Sequence, residues 1–275
     1  MEDNTKVYVN TFAEGACITE PQEITEDKVR MIARGWKKGF TIAHYKLFGI
    51  ETVGAGKEKQ TLLVGDVGAA KVVLPLDPAI SGLKDGQSKT SLLEHWISAV
   101  VEDYDFQDEV NPVIVLNRVK ALERMCEINA QRVQPGRRVT TVIQGTIHGA
   151  YLVNAGGYEA VLPRAFYDWD FDKLGTVGET FQAQVVASKS GVLAVSRRAL
   201  LTNPMIKAVD RYKSGMTVRA KITHVFNGLY KADISPGVKI SIDATNMREI
   251  TEVGEEVFVV IRKSNPKEFY GVFAV

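Results

Sequence analysis

GRRVTTVIQGTIHGAYLVNAGGYEAVLPRAFYDWDFDKLGTVGETFQAQVVASKSGVLAVSRRAL, Gly136 to Leu200, is the stretch whose reading decides the fold. Its runs 139–147, 150–155, 158–163, 180–188 and 191–196 are short, rich in Val, Thr and Tyr, and separated by glycines. Runs of that composition bounded by Gly predict strands, and five of them in one short segment predict a small β-barrel. The stretch DWDFDKLGTVGE between the third and fourth runs predicts a short helix or loop. His148 and Tyr151 flank the first turn, and paired arginines, Arg137–Arg138 and Arg197–Arg198, mark the two ends.

The landmarks of this stretch recur on both sides of it. Gly136-Arg-Arg-Val returns as Gly215-Met-Thr-Val, and Gly178-Glu-Thr-Phe as Gly254-Glu-Glu-Val. Val73-Leu74-Pro75 matches Val161-Leu162-Pro163, and Leu116-Asn117-Arg118 matches Val195-Ser196-Arg197. Internal repetition in a common order predicts three copies of one unit. Before the opening stretch, strands are expected at 40–48, 61–67, 70–76, 95–102 and 110–116, and a helix over 118–131. After it come a helix over 204–212 and strands near 217–225, 228–234, 237–242, 256–263 and 268–275. A further helix is expected from Thr25, with Val29, Ile32, Ala33 and Trp36 on one face. The expected organisation is a lead-in and helix over 1–38, a first barrel with insertions and a trailing helix over 39–131, a second barrel over 132–214 and a third over 215–275.

Charge separates the copies. The whole chain of 275 residues carries a net charge of +1. Residues 39–131 are acidic, at −4, whereas 132–214 carry +5 and 215–275 carry +1. Positive charge therefore gathers in the opening stretch, where it can meet phosphate. Apolar runs are only strand-sized, too short for a membrane helix. Met1 to Thr5 is acidic and polar rather than a secretion signal. Cys17 and Cys126 share no motif spacing, which fits a reducing compartment, so the expected location is cytoplasmic.

The order of elements resembles the S1 RNA-binding domain, an OB-type barrel repeated in the large RNA-binding protein of the bacterial small ribosomal subunit. The residues that carry the likeness are Gly145-Thr-Ile-His148-Gly149-Ala-Tyr151-Leu-Val153, then Glu159-Ala-Val-Leu-Pro163-Arg-Ala, then Val195-Ser196-Arg197-Arg198. It is good over 136–200, fair over 39–124 and weakest over 215–275. Pro163 stands where the family carries a His in its third strand. The resemblance implies a mainly β chain of tandem five-stranded OB-fold barrels with short connecting helices, and single-stranded RNA as the ligand.

From the residues themselves, an RNA face needs rings to stack on bases and cations at the rim for phosphates. Strand alternation puts Tyr151 and Val153 on one face and Leu152 on the other. With Leu152 in the core, Tyr151 is exposed to bases, which is the expectation adopted; with Tyr151 in the core, it caps the barrel and His148 is a turn residue. Arg137, Arg138, Arg164, Arg197 and Arg198 are the expected phosphate contacts, and Trp169 a packing anchor. In the third unit Phe226 and Tyr230 flank Gly228, with Lys221 and Lys231 nearby. In the first unit Phe48 precedes Gly49, beside Tyr45 and Lys46, in acidic surroundings.

Catalysis is not expected. GAGK within Val53–Thr61 lacks the spacing of a phosphate-binding P-loop, since Glu51 and Glu58 stand at its defining positions. His44, His148 and His224 have no metal-ligand spacing, and no cofactor is implied. Two functions compete. One is a non-catalytic single-stranded RNA-binding protein acting in translation or RNA handling. The other is an adaptor docking on a ribosome, a polymerase or a viral assembly, suggested by the near-neutral total and by Asp103, Asp105, Asp108 and Glu109.

Overall fold

The computed structural model describes residues 13–16, 42–54, 59–67, 70–83, 88–108, 112–186, 192–226, 228–243 and 252–274. The helix expected from Thr25 and the centre of the GAGK loop lie outside the described residues. Among the described residues, fifteen strands form three closed barrels. The first comprises β1 (Ala43–Val53), β2 (Gln60–Val67), β3 (Ala70–Pro75), β4 (Trp96–Asp105) and β5 (Val113–Asn117). The second comprises β6 (Arg138–Ile147), β7 (Ala150–Ala155), β8 (Tyr158–Pro163), β9 (Thr180–Val186) and β10 (Ala194–Ser196). The third comprises β11 (Thr217–Phe226), β12 (Leu229–Ser235), β13 (Val238–Asp243), β14 (Glu256–Ser264) and β15 (Phe269–Phe273).

All three have one topology. The first strand pairs with both the second and the fourth, and the third and fifth run parallel, as β3–β5, β8–β10 and β13–β15 do. That is the strand order of an OB barrel. One strand can serve two neighbours only if it curls, and a register break supplies the bend. It falls between Leu47 and Gly49, between Ile143 and Gly145, and between Ile222 and His224. Alternation fills each interior: Tyr45, Leu63, Leu74 and Leu116 in the first, and Ile222, Ile240, Ile261 and Phe269 in the third.

The three described helices are α1 (Pro78–Ser81), α2 (Arg118–Asn129) and α3 (Pro204–Arg211). Asn117 caps α2, its side chain accepting from the Lys120 amide at 3.0 Å, and Asn203 caps α3 through Met205 at 2.9 Å; both use the ordinary N-cap chemistry of a short polar side chain. No helix among the described residues is long and apolar enough to cross a membrane.

The chain divides into two compact units. One holds the first two barrels, up to Pro163 and again over Gly175–Ser196; the other holds Arg164–Leu174 and the chain from Arg197 onward. Within the first unit, α2 lies against the β7–β8 hairpin. A side chain at Gly157 would come within 2.7 Å of Met125 Cβ and 2.9 Å of the Cys126 amide nitrogen, and its φ of +95° suits glycine. Tyr158 donates its hydroxyl to the Cys126 carbonyl at 3.1 Å, and Asn129 reaches the Gly156 carbonyl at 3.2 Å. The Ala13–Ala16 turn closes the joint, with Ala13 and Ala16 packed on Val142.

Candidate nucleic-acid interface

On an OB barrel, oligonucleotides are held on the outer face of strands two and three and by the adjoining loops. The register of β11, β12 and β13 sets out that face in the third barrel. Phe226, Leu229 and Asp243 form one row; His224, Lys231 and Ser241 the next; Lys221, Asp233 and Lys239 the last. Their neighbours Tyr230, Ala232, Ile240 and Ile242 point into the core. At the spacings of a pleated sheet the nine residues cover a patch of about 14 Å by 10 Å. Phe226 is 74% exposed, and Lys221, His224 and Lys231 are exposed beside it. One ring and two lysines thus share one face, as stacking and phosphate contact require.

The Asp233–Lys239 end of the last row is covered by the chain itself. Lys239 Nζ lies 4.2 Å from the centre of the Phe171 ring. Trp169 packs against Gly237 in the β12–β13 turn, and its indole N–H donates to the Leu201 carbonyl at 3.2 Å. Asp233 has its pKa raised by burial; Lys239 opposes this, Asp172 and Asp170 add to it, and His224 opposes it. Its Oδ1 is buried without a hydrogen-bond partner. Asp243, in the first row, accepts a 2.9 Å hydrogen bond from the Tyr270 hydroxyl.

The same positions are different in the other two barrels. In the second, the rows read Ile147, Ala150, Pro163; Gly145, Leu152, Val161; and Val142, Asn154, Glu159. The first two rows have neither ring nor cation. In the third row Asn154 is buried and accepts from the Glu14 amide at 2.9 Å. In the first barrel Val64 and Val73 lie opposite each other between inward-pointing Leu63, Gly65, Val72 and Leu74, yet both are buried. The second barrel lacks the mixed surface of the third, and in the first, where Phe48 is exposed, Lys46 and Lys71 are paired with Glu94 and Glu51.

Two expected stackers are corrected by this geometry. Tyr151 is 5% exposed while Leu152 is 40% exposed, so the strand faces the other way from the adopted expectation. Tyr151 pairs with fully buried Leu162, and its hydroxyl accepts from the Gly175 amide at 3.1 Å, which satisfies the polar tip at the barrel rim. Tyr230 is likewise 5% exposed and meets Phe273 edge to face, with ring centres 5.3 Å apart. Both are core residues. In the first barrel Tyr45 is buried and Phe48 exposed.

The arginines fall into two groups. Arg197 sits 4.6 Å from the Tyr167 ring centre, and Arg198 sits 4.7 Å from Trp169 and 5.5 Å from Phe166. Cation–π contacts of this kind hold the Arg164–Leu174 segment in place, so these guanidiniums are packing groups rather than a free rim. Arg137, Arg138, Arg164 and His148 are exposed. Arg137 and Arg138 line an open depression with Arg132 and Gly136 at the entry to β6, not on the β7–β8 face. Trp169 is the packing anchor expected. Among the expected site residues, Lys221, Phe226 and Lys231 are the ones brought onto one face.

Leu229, Lys239, Ser241 and Asp243 were not among the expected site residues. The alternation of VKISID over 238–243, once registered against β12, identifies the last three. Cys126 is a half-buried thiol, its pKa pushed up to about 11 by burial and by Glu123, which holds it protonated at neutral pH.

No protein-family model matches the chain, and no curated protein matches it. Among solved structures, the chain is similar to one described as a multidomain protein with nucleic acid binding domains from Streptococcus pneumoniae. That likeness has 6% identity over 86% of this chain and 73% of the other, with a TM-score of 0.21. A superposition that weak adds nothing to the topology and face geometry above.

Proposed function

We propose that this chain is a non-catalytic protein that binds single-stranded RNA, mainly through the outer face of β11, β12 and β13. The observation that supports it most is Phe226, an aromatic ring 74% exposed on the ligand-bearing face of an OB barrel, in one patch with Lys221, His224 and Lys231. A base stacked on such a ring contributes about 1–3 kcal/mol, and the lysines neutralise phosphates. The preference for RNA, and a role in translation or RNA handling, follow from the resemblance of residues 136–200 to the S1 domain.

Fluorescence anisotropy of a labelled single-stranded RNA oligomer tests the reading. Binding is expected at low salt and is lost as salt rises, with a log–log slope of about −0.7 for each phosphate contacted. Phe226→Ala weakens it by about 5- to 150-fold, the equivalent of one stacked base. No binding at low salt contradicts the proposal.

A second reading concerns the first barrel. Phe48, Ile50 and Val53 are exposed along the outer part of β1, in the acidic part of the chain, and exposed apolar groups in acidic surroundings suit a protein partner better than RNA. Capture of the same partner before and after nuclease treatment, lost on Phe48→Ser/Ile50→Ser, supports such an adaptor role beside RNA binding.

A further inference from the structure

The connection Asp168-Trp-Asp-Phe-Asp172 alternates carboxylates with rings. A single nucleic-acid strand offers a protein the same two groups, as phosphates and bases. In the folded chain this segment lies on the third barrel at one end of the patch described above. Phe171 lies on Lys239 and Trp169 on the β12–β13 turn, while the rows of Phe226 and Lys231 stay open. One of the two cations of the last row, Lys239, is thus spent on a ring of the chain itself, while Lys221 stays exposed.

The segment is anchored at one end and weakly held at the other. On the Trp169 side, Arg198 sits over the Trp169 and Phe166 rings, the indole N–H bonds Leu201, and Tyr167 is buried. On the Phe171 side, Phe171 remains 42% exposed, and the half-buried Asp233 has its Oδ1 enclosed without a hydrogen-bond partner. Asp170 and Asp172 stand in the electrostatic field of Asp233, where Lys239 acts in the opposite sense. Like charges gathered there favour release. Asp168 is engaged elsewhere, 3.4 Å from Lys173 Nζ.

We infer that Asp170–Asp172 is a built-in competitor for the RNA face: it closes the Asp233–Lys239 row when the face is empty and gives way to an incoming strand. The inference rests on the RNA reading of that face. A cover closed nine-tenths of the time lowers the apparent affinity about tenfold. It also rejects ligands that touch only part of the face, because only a strand long enough to reach Lys239 recovers that contact.

The test uses the full chain and a labelled single-stranded RNA oligomer of mixed sequence, read by fluorescence anisotropy. Two variants open the cover: Phe171→Ala, which changes no charge, and Asp170→Asn/Asp172→Asn, which changes no volume. Circular dichroism and thermal melts confirm that each is folded. Both are expected to bind about tenfold tighter than the native chain, and amine-reactive labelling of Lys239 is expected to rise in Phe171→Ala. Equal affinity in the native chain and both folded variants overturns the competition and leaves the interface reading standing. Tighter binding only in the Asn variant also overturns it, since loss of negative charge then suffices. Absence of binding in all three chains overturns the interface reading and the competition with it.

Discussion

Glu14 and Arg118, 104 residues apart, form a bidentate ion pair, 2.5 Å from Nε to Oε1 and 2.6 Å from Nη2 to Oε2. Both are buried, and each has further partners. Gln144 Nε2 donates to Glu14 Oε2 at 2.6 Å, and Arg118 Nη1 donates to the Ser81 carbonyl at 2.8 Å. Burial works against the Arg118 charge, but Glu14 outweighs it and the guanidinium pKa is raised. One turn of chain thus ties the start of α2 to β6 and β7, joining the first two barrels through a largely buried polar network.

Removing one partner of such a pair strands a charge where water cannot reach it. Glu14→Ala is expected to destabilise the first unit by about 3–5 kcal/mol. Glu14→Leu/Arg118→Met should recover most of that loss, because the apolar pair needs no solvation. Urea unfolding followed by tryptophan fluorescence measures both; a loss under about 1 kcal/mol for the single variant contradicts a buried pair.

Gly157 is expected to resist substitution. Gly157→Ala combines a left-handed φ with a contact against α2, and overpacking alone costs about 1–3 kcal/mol. A melting temperature lowered more than by Gly178→Ala, where φ is +88° but nothing stands within 4 Å of the added carbon, identifies the α2–hairpin contact as the cause. An unchanged melt argues against it.

Tyr151 separates core from interface. Tyr151→Ala is expected to cost about 3–5 kcal/mol of stability, and Tyr151→Phe about 1 kcal/mol for the lost hydrogen bond from Gly175. RNA affinity of Tyr151→Phe is expected to equal that of the native chain. A stable Tyr151→Ala with weakened RNA binding reverses the assignment.

Asp233 gives a pH signature. Its folded pKa lies above the usual 3.8, because of burial first and then Asp172 and Asp170 against Lys239 and His224. The folded form therefore holds its proton more tightly than the unfolded form. The resulting stability is full below the ordinary value and is lost as pH rises through the folded one. The melting-temperature difference between Asp233→Asn and the native chain should therefore grow in favour of Asn as pH rises from about 4 to 7. A constant difference rules out the shift.

Much of the barrel architecture was legible because strands alternate with a period of two and the turns fall on glycines. The expected strands at 150–155 and 158–163 coincide with β7 and β8, and most others differ by a few residues at their ends. The phase of the alternation was harder. Val153, Asn154 and Ala155 are all buried, since the far side of that strand is covered by the Glu14 turn, 140 residues earlier in the chain. With both faces of the strand enclosed there, polarity cannot tell inside from outside, and Tyr151 was turned the wrong way. Glu14 itself carried no local signal, as its partners are remote.

Charge counting pointed to the second barrel for a related reason. A net +5 over 132–214 says how many cations exist, not which face they reach. Arg197 and Arg198 lie on the rings of Tyr167, Trp169 and Phe166, and Arg137 and Arg138 sit at a strand entry. The third barrel, with less net charge, sets an exposed ring, Phe226, in one patch with Lys221 and Lys231.

The most direct test is to crosslink a single-stranded RNA oligomer containing 4-thiouridine to the full chain and locate the adducts by mass spectrometry. The account predicts adducts on the β11–β12 hairpin, at Phe226 and around Lys231, that disappear in high salt. Adducts concentrated at Arg137, Arg138 and His148, with none in the third barrel, would contradict it.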